Sequence, residues 1–233
     1  MIDFTDRHQV AKAIQFTNVN PDLTREGLIA HLEICARHGF DAAMIAPCWV
    51  SLAKKELAGT GVKVASTVNF PMANDTLEMK LAVVRLLAKE GADQFDFPPN
   101  PGLLLGGMDA AYAQELREVT RVAHEEGIVV KAMLEFGYIT TPELKAKAAR
   151  YADEAGIDWV KQSSGWGTGG CAATVEDVEI LKSNINAPCR VKVSGKVNTR
   201  EKMIALFEAG AELVGTSSGP SIVDRLEGSL AGY

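Results

Sequence analysis

Short apolar runs alternate with longer amphipathic stretches along nearly the whole chain. Five of these runs follow a glycine placed where a helix would end, at Gly39, Gly91, Gly127, Gly156 and Gly210. Each glycine can take the left-handed conformation that closes a helix, and residues suited to a buried strand follow it. Further runs at 13–16, 62–68 and 190–193 complete a set of eight predicted strands.

Helical patterns fill the stretches between these strands. Thr24 can cap the first, and Asp75 or Thr76 the second, because their side-chain oxygens accept hydrogen bonds from the free amides of a first helical turn. Further helical patterns cover 109–126, 142–155, 174–183 and 199–209. The predicted apolar faces are Leu28, Leu32 and Cys35 in the first helix, and Leu77, Leu81, Val84 and Leu87 in the second.

Eight strands that alternate with helices predict an α/β fold, namely a single-domain TIM (β/α)8 barrel that takes up residues 1–233. No Pro- or Ser-rich linker interrupts the series. A doubly wound open sheet is the alternative, although such sheets usually have fewer strands. The distinction matters because the active sites of barrels lie at the carboxyl ends of their strands, which makes polar residues there the first candidates for chemistry.

Charge and cysteine content narrow the possible partners and compartments. The 233 residues hold 24 Lys and Arg against 30 Asp and Glu, a net charge of −6 with no basic stripe, which argues against a nucleic-acid partner. No apolar run approaches the ~20 residues that span a bilayer, so we expect no membrane partner. Four scattered cysteines are typical of reduced thiols and predict a cytoplasmic protein.

Three predicted strands carry a lysine, at Lys131, Lys161 and Lys192. A lysine is seldom buried without a partner or a function, although each could instead point outward at a strand edge. A confined lysine near a second cation loses its proton easily and can form a Schiff base with a carbonyl compound. Asp96 and Glu135, at strand ends, could move protons in such a site or simply form salt bridges with the lysines.

The loops after the last three predicted strands are rich in Ser and Gly, at 163–165, 194–196 and 215–219. Barrels often bind a phosphate group with the backbone amides of such loops, so a small anionic substrate fits the pattern despite the acidic net charge. The GWGTGG stretch at 165–170 is no dinucleotide fingerprint, because it lies late in the chain without a following acidic residue. The four histidines fall on helices or termini and predict no metal site.

With these residues the chain resembles the deoxyribose-phosphate aldolase family, which are class I aldolases on a TIM barrel. The resemblance runs from about Ile14 to Val223. Its strongest pieces are APCWV at 46–50, GTGVKV at 59–64, FP at 70–71, GAD at 91–93 through Asp96, DWVK at 158–161, TGG at 168–170, TVEDV at 174–178, VK at 191–192 with SG at 194–195, and GTSSG at 215–219.

The resemblance implies roles for individual residues. Lys161 matches the Schiff-base lysine, Lys192 the second lysine that lowers its pKa, and Asp96 the aspartate that relays protons. Glu135 is a further candidate for proton transfer. Tyr233 ends the chain where tails of this family can reach over the site, although it could equally belong to an exposed terminus.

A second set of positions is predicted to bind the substrate and its phosphate group. Its members lie on the first strand, on the fifth strand and in the last three loops of the barrel mouth. They are Gln15, Thr17, Lys131, Ser164, Gly165, Gly195, Lys196, Ser217 and Ser218.

Two of these positions depart from the family. Gln15 stands where the first strand usually has an aspartate, and Lys196 stands where the loop usually has a glycine. The expected reaction is the reversible cleavage of 2-deoxy-D-ribose 5-phosphate to acetaldehyde and D-glyceraldehyde 3-phosphate, without a cofactor, by a homo-oligomer. The departures keep two alternatives open: a Schiff-base lyase or aldolase for another small sugar, or a catalytically silent protein that binds phosphosugars.

Overall fold

Eight parallel strands close into a barrel in the computed structural model, which describes residues 2–224. The last strand pairs with the first through Ile14 and Val214 and through Gln15 and Gly215, so the (β/α)8 prediction is confirmed and the open sheet is wrong. The extension of one domain over all of 1–233 stays a prediction. The strands are β1 (Ile14–Asn18), β2 (Ala42–Ile45), β3 (Lys63–Thr67), β4 (Gln94–Phe97), β5 (Val129–Met133), β6 (Trp159–Lys161), β7 (Arg190–Ser194) and β8 (Leu213–Thr216).

Helices follow the strands and surround the barrel. Thr24, Thr76, Thr174 and Thr199 each cap a helix by accepting a hydrogen bond from the backbone amide three residues later, as the cap pattern predicts. The helices are α1 (Arg7–Lys12), α2 (Arg25–His38), α3 (Val50–Glu56), α4 (Leu77–Glu90), α5 (Pro101–Leu105), α6 (Asp109–Glu125), α7 (Pro142–Glu154), α8 (Val175–Ser183), α9 (Arg200–Glu208) and α10 (Gly219–Asp224). Among these described residues, no helix is long and apolar enough to cross a membrane.

The glycines that introduce five of the strands all have positive φ angles. The values run from 68° at Gly39 to 118° at Gly210, a range that a residue with a Cβ rarely adopts. Each glycine therefore ends one helix and turns the chain toward the next strand, as the sequence predicts.

Alternation along the strands separates an apolar layer from a polar one. On β4, Phe95 and Phe97 pack into the main hydrophobic core, whereas Gln94 and Asp96 lie on the opposite face of the strand. Because side chains alternate along a strand, the second set points into the barrel. The interior therefore carries buried polar and charged side chains where many barrels are filled with aliphatic ones.

One helix face differs from its prediction. On α4, Val84 and Leu87 are buried as expected, but Leu77 and Leu81 are only partly buried, and Lys80 is fully buried beside them. The ammonium group of Lys80 donates to the carbonyl oxygens of Ala73 (2.8 Å) and Pro98 (3.4 Å) and forms an ion pair with Glu115 on α6. A local apolar pattern cannot reveal this residue, because the carboxylate that compensates it lies 35 positions away.

Candidate active site

Adjacent strands bring the predicted lysines and Asp96 together. Asp96 on β4 lies opposite Lys131 on β5, and Lys161 at the end of β6 lies opposite Lys192 on β7. The barrel curvature then turns these four side chains toward one another across the interior. The strand register alone therefore assembles one carboxylate and three amines.

Asp96 holds all three lysines. Its Oδ2 accepts hydrogen bonds from Lys192 Nζ at 2.7 Å and from Lys161 Nζ at 3.0 Å. Its Oδ1 lies 3.3 Å from Lys131 Nζ, an ion pair without hydrogen-bond geometry. Asp96, Lys131 and Lys192 are fully buried, whereas Lys161 keeps 6% of its surface exposed. The alternative that the lysines point outward is therefore wrong.

The charges of this cluster shift several pKa values. Burial alone would raise the pKa of Asp96, but Lys192, Lys161 and Lys131 together hold it well below its usual range. Burial lowers the pKa of Lys192 far below 10.5; Asp96 opposes this shift, and the charges of Lys161 and Lys131 add to it. Burial likewise lowers the pKa of Lys131. Asp96 is therefore a permanent carboxylate, and Lys192 is an amine that readily gives up its proton.

A narrow cavity at the carboxyl ends of the strands reaches Lys161. It encloses about 330 Å³, open solvent included. Lys161 and Asp96 form part of its wall, whereas Lys131 and Lys192 lie beneath it. A larger groove of about 1360 Å³ lies beside α1 and α9, away from this cluster, so size alone does not locate the chemistry. The other lining residues are Thr17, Val19, Met44, Thr67, Phe70, Met133, Ser164, Ser194 and Gly215.

Gly215 on β8 makes room for the end of Lys192. A Cβ at this position would lie 3.2 Å from Lys192 Cε and 3.7 Å from Nζ. Any larger residue would therefore press the amine out of its place against Asp96.

The Ser- and Gly-rich loops pack backbone against backbone beside the cavity. A Cβ on Gly165 would lie 2.7 Å from Gly195 Cα, and a Cβ on Gly195 would lie 2.2 Å from the carbonyl oxygen of Cys171. Both glycines also have positive φ angles, of 76° and 94°. The loops after β6 and β7 can therefore meet only because neither position carries a side chain.

A sequence model described as DeoC/LacD family aldolase matches residues 3–223. The chain belongs to this family. A deoxyribose-phosphate aldolase of Thermococcus gammatolerans is 41% identical over 217 residues, which cover 92% of this chain and 95% of the relative. These matches confirm the predicted family resemblance. They also confirm that the protein is an aldolase, and hence a lyase.

Two solved structures share the barrel with this aldolase. An aldolase described as QR15 has a TM-score of 0.86 at 28% identity and covers 93% of this chain and 95% of its own. A deoxyribose-phosphate aldolase from Aeropyrum pernix, described as having a unique tetrameric structure, has a TM-score of 0.84 at 24% identity, with coverage of 94% and 92%. The second likeness supports the fold alone.

Glu135 contacts the loop after β6 in this aldolase. It is buried with a left-handed backbone (φ 50°), and its Oε2 accepts hydrogen bonds from Ser163 Oγ and from the Ser164 backbone amide, both at 3.2 Å. Burial raises the pKa of this carboxyl group. The structure thus places Glu135 beneath the loop that follows Lys161, which is a candidate phosphate-binding loop. Its role in proton transfer stays a prediction.

Gln15 leads to a residue that sequence reasoning missed. Gln15 Oε1 accepts a hydrogen bond from Lys192 Nζ at 2.6 Å, and Gln15 Nε2 donates to Asp41 Oδ2 at 2.9 Å. The carboxylate of Asp41 is therefore connected to Lys192 through the side-chain amide of Gln15, although the first strand lacks the aspartate that is usual in the family. The only sequence signal was a charged residue directly before the apolar strand at 42–45.

The remaining predicted residues occupy varied positions. Lys196 is exposed with a left-handed backbone (φ 53°), so its side chain lies at the surface rather than within the lysine cluster. Ser218 is buried and Ser217 is partly buried in the loop after β8, which the Thr216 side chain ties to the carbonyl oxygen of Val197 at 2.6 Å. Tyr233 lies outside the described residues.

Within residues 2–224, no cluster of three or more His, Cys, Asp or Glu side chains could hold a metal ion. The cysteines at 35, 48, 171 and 189 are free thiols.

Proposed function

We propose that this protein is a class I deoxyribose-phosphate aldolase, which forms a Schiff base on Lys161 and cleaves 2-deoxy-D-ribose 5-phosphate to acetaldehyde and D-glyceraldehyde 3-phosphate. One observation carries the proposal: Asp96 Oδ2 is hydrogen-bonded to Lys161 and Lys192 at once, with only Lys161 of the three amines facing the cavity. The names of its relatives support the choice of substrate.

Lys161 must be neutral before it can attack a carbonyl carbon. Because Lys161 and Lys192 share one carboxylate oxygen, a proton can pass between the two amines over a short path. Burial favours the neutral form of Lys192, whose lone pair can take that proton, and Asp96 stabilises the ammonium ion that then forms. Lys161 Nζ then bonds to C1 of the open-chain sugar, and Lys192 returns the proton as the C1 hydroxyl leaves as water, which gives an iminium ion.

The iminium ion draws electrons from the neighbouring C2–C3 bond. Lys192, with Asp96 and a water molecule, removes the proton of the C3 hydroxyl, the bond breaks, and glyceraldehyde 3-phosphate departs as an enamine forms. The enamine takes a proton at C2, and water then releases acetaldehyde and restores Lys161. Lys192 takes up and returns protons through this sequence, and a Schiff base needs no added cofactor.

The phosphate group would lie in the loops after β6, β7 and β8. The close approach of Gly165 and Gly195 supports this assignment because it brings two loop backbones together beside the cavity, whose wall includes Ser164 and Ser194. Ser164, Ser217 and Ser218 would add hydroxyl donors. Thr17 and Ser164 both line the cavity and would contact the sugar.

The proposal also covers the pathway, compartment and oligomeric state of the enzyme. It would act in the breakdown of deoxyribose phosphate in the cytoplasm, where free thiols such as those at 35, 48, 171 and 189 stay reduced. It would also be a homo-oligomer.

Trapping with borohydride tests the Schiff base. Acetaldehyde and borohydride should leave a reduced ethyl adduct on Lys161, located by peptide mass spectrometry, and Lys161→Met should give none while exposed lysines such as Lys63 react equally in both proteins. An adduct on another buried lysine, or full cleavage by Lys161→Met, contradicts the proposal. Adducts with other aldehydes but none with acetaldehyde would favour a related aldolase. The absence of an adduct with any aldehyde would favour a catalytically silent binding protein.

The phosphate site has its own test. Gly195→Ala places a Cβ against the Cys171 carbonyl oxygen and should spread the loops. We expect KM for deoxyribose 5-phosphate to rise about 10-fold, the loss of one hydrogen bond to a charged group, while activity on unphosphorylated deoxyribose changes little. An equal loss on both sugars would show that the loops do not bind phosphate.

A further inference from the structure

A buried line of polar contacts runs from the lysine cluster to the opposite end of the barrel. Lys192 Nζ donates to Gln15 Oε1 at 2.6 Å, and Gln15 Nε2 donates to Asp41 Oδ2 at 2.9 Å. The same oxygen of Asp41 accepts from Gln94 Nε2 at 3.2 Å. Its other oxygen accepts from Lys63 Nζ at 2.7 Å, near solvent.

The direction of these contacts is set by Asp41. A glutamine amide has one acceptor end and one donor end, whereas a carboxylate only accepts. Asp41 therefore holds the NH2 group of Gln15, and this leaves the carbonyl oxygen of Gln15 facing Lys192. Without that carboxylate, the NH2 end of the amide could turn toward Lys192 when its amine is neutral.

The charge of Asp41 also matters because amines outnumber carboxylates around Lys192. Asp96, Lys161 and Lys131 face Lys192 from β4, β6 and β5, so one negative charge stands against three potential positive charges. Asp41 is the next carboxylate in contact through the line, and its charge favours the protonated form of Lys131 as well. The other charged groups around its end of the barrel are Lys12, Lys63, Asp93, Arg190 and Glu212.

We infer that Asp41, acting through Gln15, is a positioning residue that supports the protonated form of Lys192. It supplies, from the floor of the barrel, the negative charge that Gln15 itself lacks. Its effect on catalysis rests on the proposed function, since Lys192 must hold a proton at two stages of that reaction. Its effect on the protonation of Lys192 does not depend on any substrate.

Moving the charge along the line tests this inference. Asp41→Asn should lower the pKa of Lys192 by about half a unit to one unit, because it removes a negative charge one amide away. Gln15→Asp should raise this pKa, and the double variant Gln15→Asp/Asp41→Asn should return it to at least its original value. A residue that merely supports packing would not be rescued by a charge placed elsewhere.

Two readouts follow the change. NMR of the protein with 15N-labelled lysine titrates the Lys192 amine directly, with its signal assigned by its loss in Lys192→Met. In kinetics, the limb of the pH profile governed by Lys192 should move to lower pH in Asp41→Asn by the same amount, and kcat should fall more than KM changes. Gln15→Met, which cuts the line with a side chain of similar size, should shift both readouts in the same direction even if Asp41→Asn folds poorly.

Asp93→Asn is the matched control. Asp93 lies at the same end of the barrel and accepts hydrogen bonds from Lys54 Nζ at 2.7 Å and from the Val64 amide at 2.8 Å, without contact to Gln15 or Lys192. It should leave the Lys192 titration unchanged. An unshifted titration in Asp41→Asn, or an equal shift in Asp93→Asn, overturns the inference. If borohydride traps nothing on Lys161, the proposed function fails. The NMR titration of Lys192 would still show whether Asp41 supports its protonated form.

Discussion

Two groups of buried lysines in this molecule have opposite designs. Lys80 is paired with one carboxylate, Glu115, and its other protons go to the carbonyl oxygens of Ala73 and Pro98. In the barrel, three lysines share the single carboxylate of Asp96, and both Lys131 Nζ and Asp96 Oδ1 lack a hydrogen bond among the described residues.

The difference distinguishes a charge that supports the fold from the amines to which we assign the chemistry. The Lys80 ammonium group has three acceptors for its three protons, and it ties the loops after β3 and β4 to α6. The barrel lysines have fewer acceptors than protons, and the charges of Lys161 and Lys131 favour release of a proton from Lys192. Burial is common to both groups; the ratio of amines to carboxylates is what distinguishes them.

Replacing one lysine in each group should give the largest contrast. Lys161→Met should reduce aldol cleavage on the order of 10⁴-fold or more while the protein stays at least as stable, because it removes the proposed nucleophile and one of three amines that share a single carboxylate. Lys80→Met should lower the free energy of unfolding by about 3–5 kcal/mol, because it leaves Glu115 buried without its partner. Steady-state kinetics and urea unfolding measure the two effects.

The comparison fails if the outcomes are exchanged. A large loss of stability in Lys161→Met would mean that the barrel cluster is itself a structural support. A Lys80→Met protein that folds normally but loses activity would place Lys80 in the chemistry.

The two groups should also respond to pH with opposite signs. Burial lowers the pKa of Lys192 in the folded protein below its ordinary value of 10.5. At a pH between the folded-state pKa and 10.5, the unfolded chain binds more protons than the folded protein, so stability rises with pH. Burial raises the pKa of Glu115 above 4.5, against the pull of Lys80, so there the folded protein binds more protons and stability falls as pH rises.

Urea unfolding over a pH series checks both signs. Lys192→Met should flatten the alkaline rise, by at most about 1.4 kcal/mol per pH unit, and Glu115→Gln should remove the acid-side fall. An alkaline rise that persists unchanged in Lys192→Met would show that this lysine keeps its proton in the fold.

The smallest effect should come from a single methyl group in each region. Gly215→Ala brings a Cβ to 3.2 Å from Lys192 Cε, so we expect kcat to fall severalfold as the amine shifts against Asp96. Gly102→Ala brings a Cβ to 3.1 Å from Asn100 Oδ1, beside the Lys80 group, and should leave kcat unchanged. Equal kinetics for both variants would show that the position of Lys192 tolerates such a shift.

Local patterns were enough to predict the barrel and to bring its lysines forward as candidates, whereas the role of each residue came from the family resemblance and stays a prediction. The alternation of strands and helices, the glycines at helix ends and the lysines within strands are all short-range signals, and they led to Lys161, Lys192 and Asp96. They did not lead to Lys80 or Asp41. Each of these is explained by a partner far along the chain, Glu115 for the first and Gln15 for the second, and such pairs become visible only once the fold brings them together.

The apolar part of the cavity wall and the two deeper lysines occupy different layers of the barrel. Val19 and Met44 line the cavity and belong to a small apolar cluster separate from the main core, whereas Lys131 and Lys192 lie below it. An engineer could therefore reshape the wall to admit bulkier or unphosphorylated aldehydes without rewiring the acid–base machinery. Under the proposed mechanism, substitutions at Val19 and Met44 would change which substrates fit while Lys131 and Lys192 stay in place.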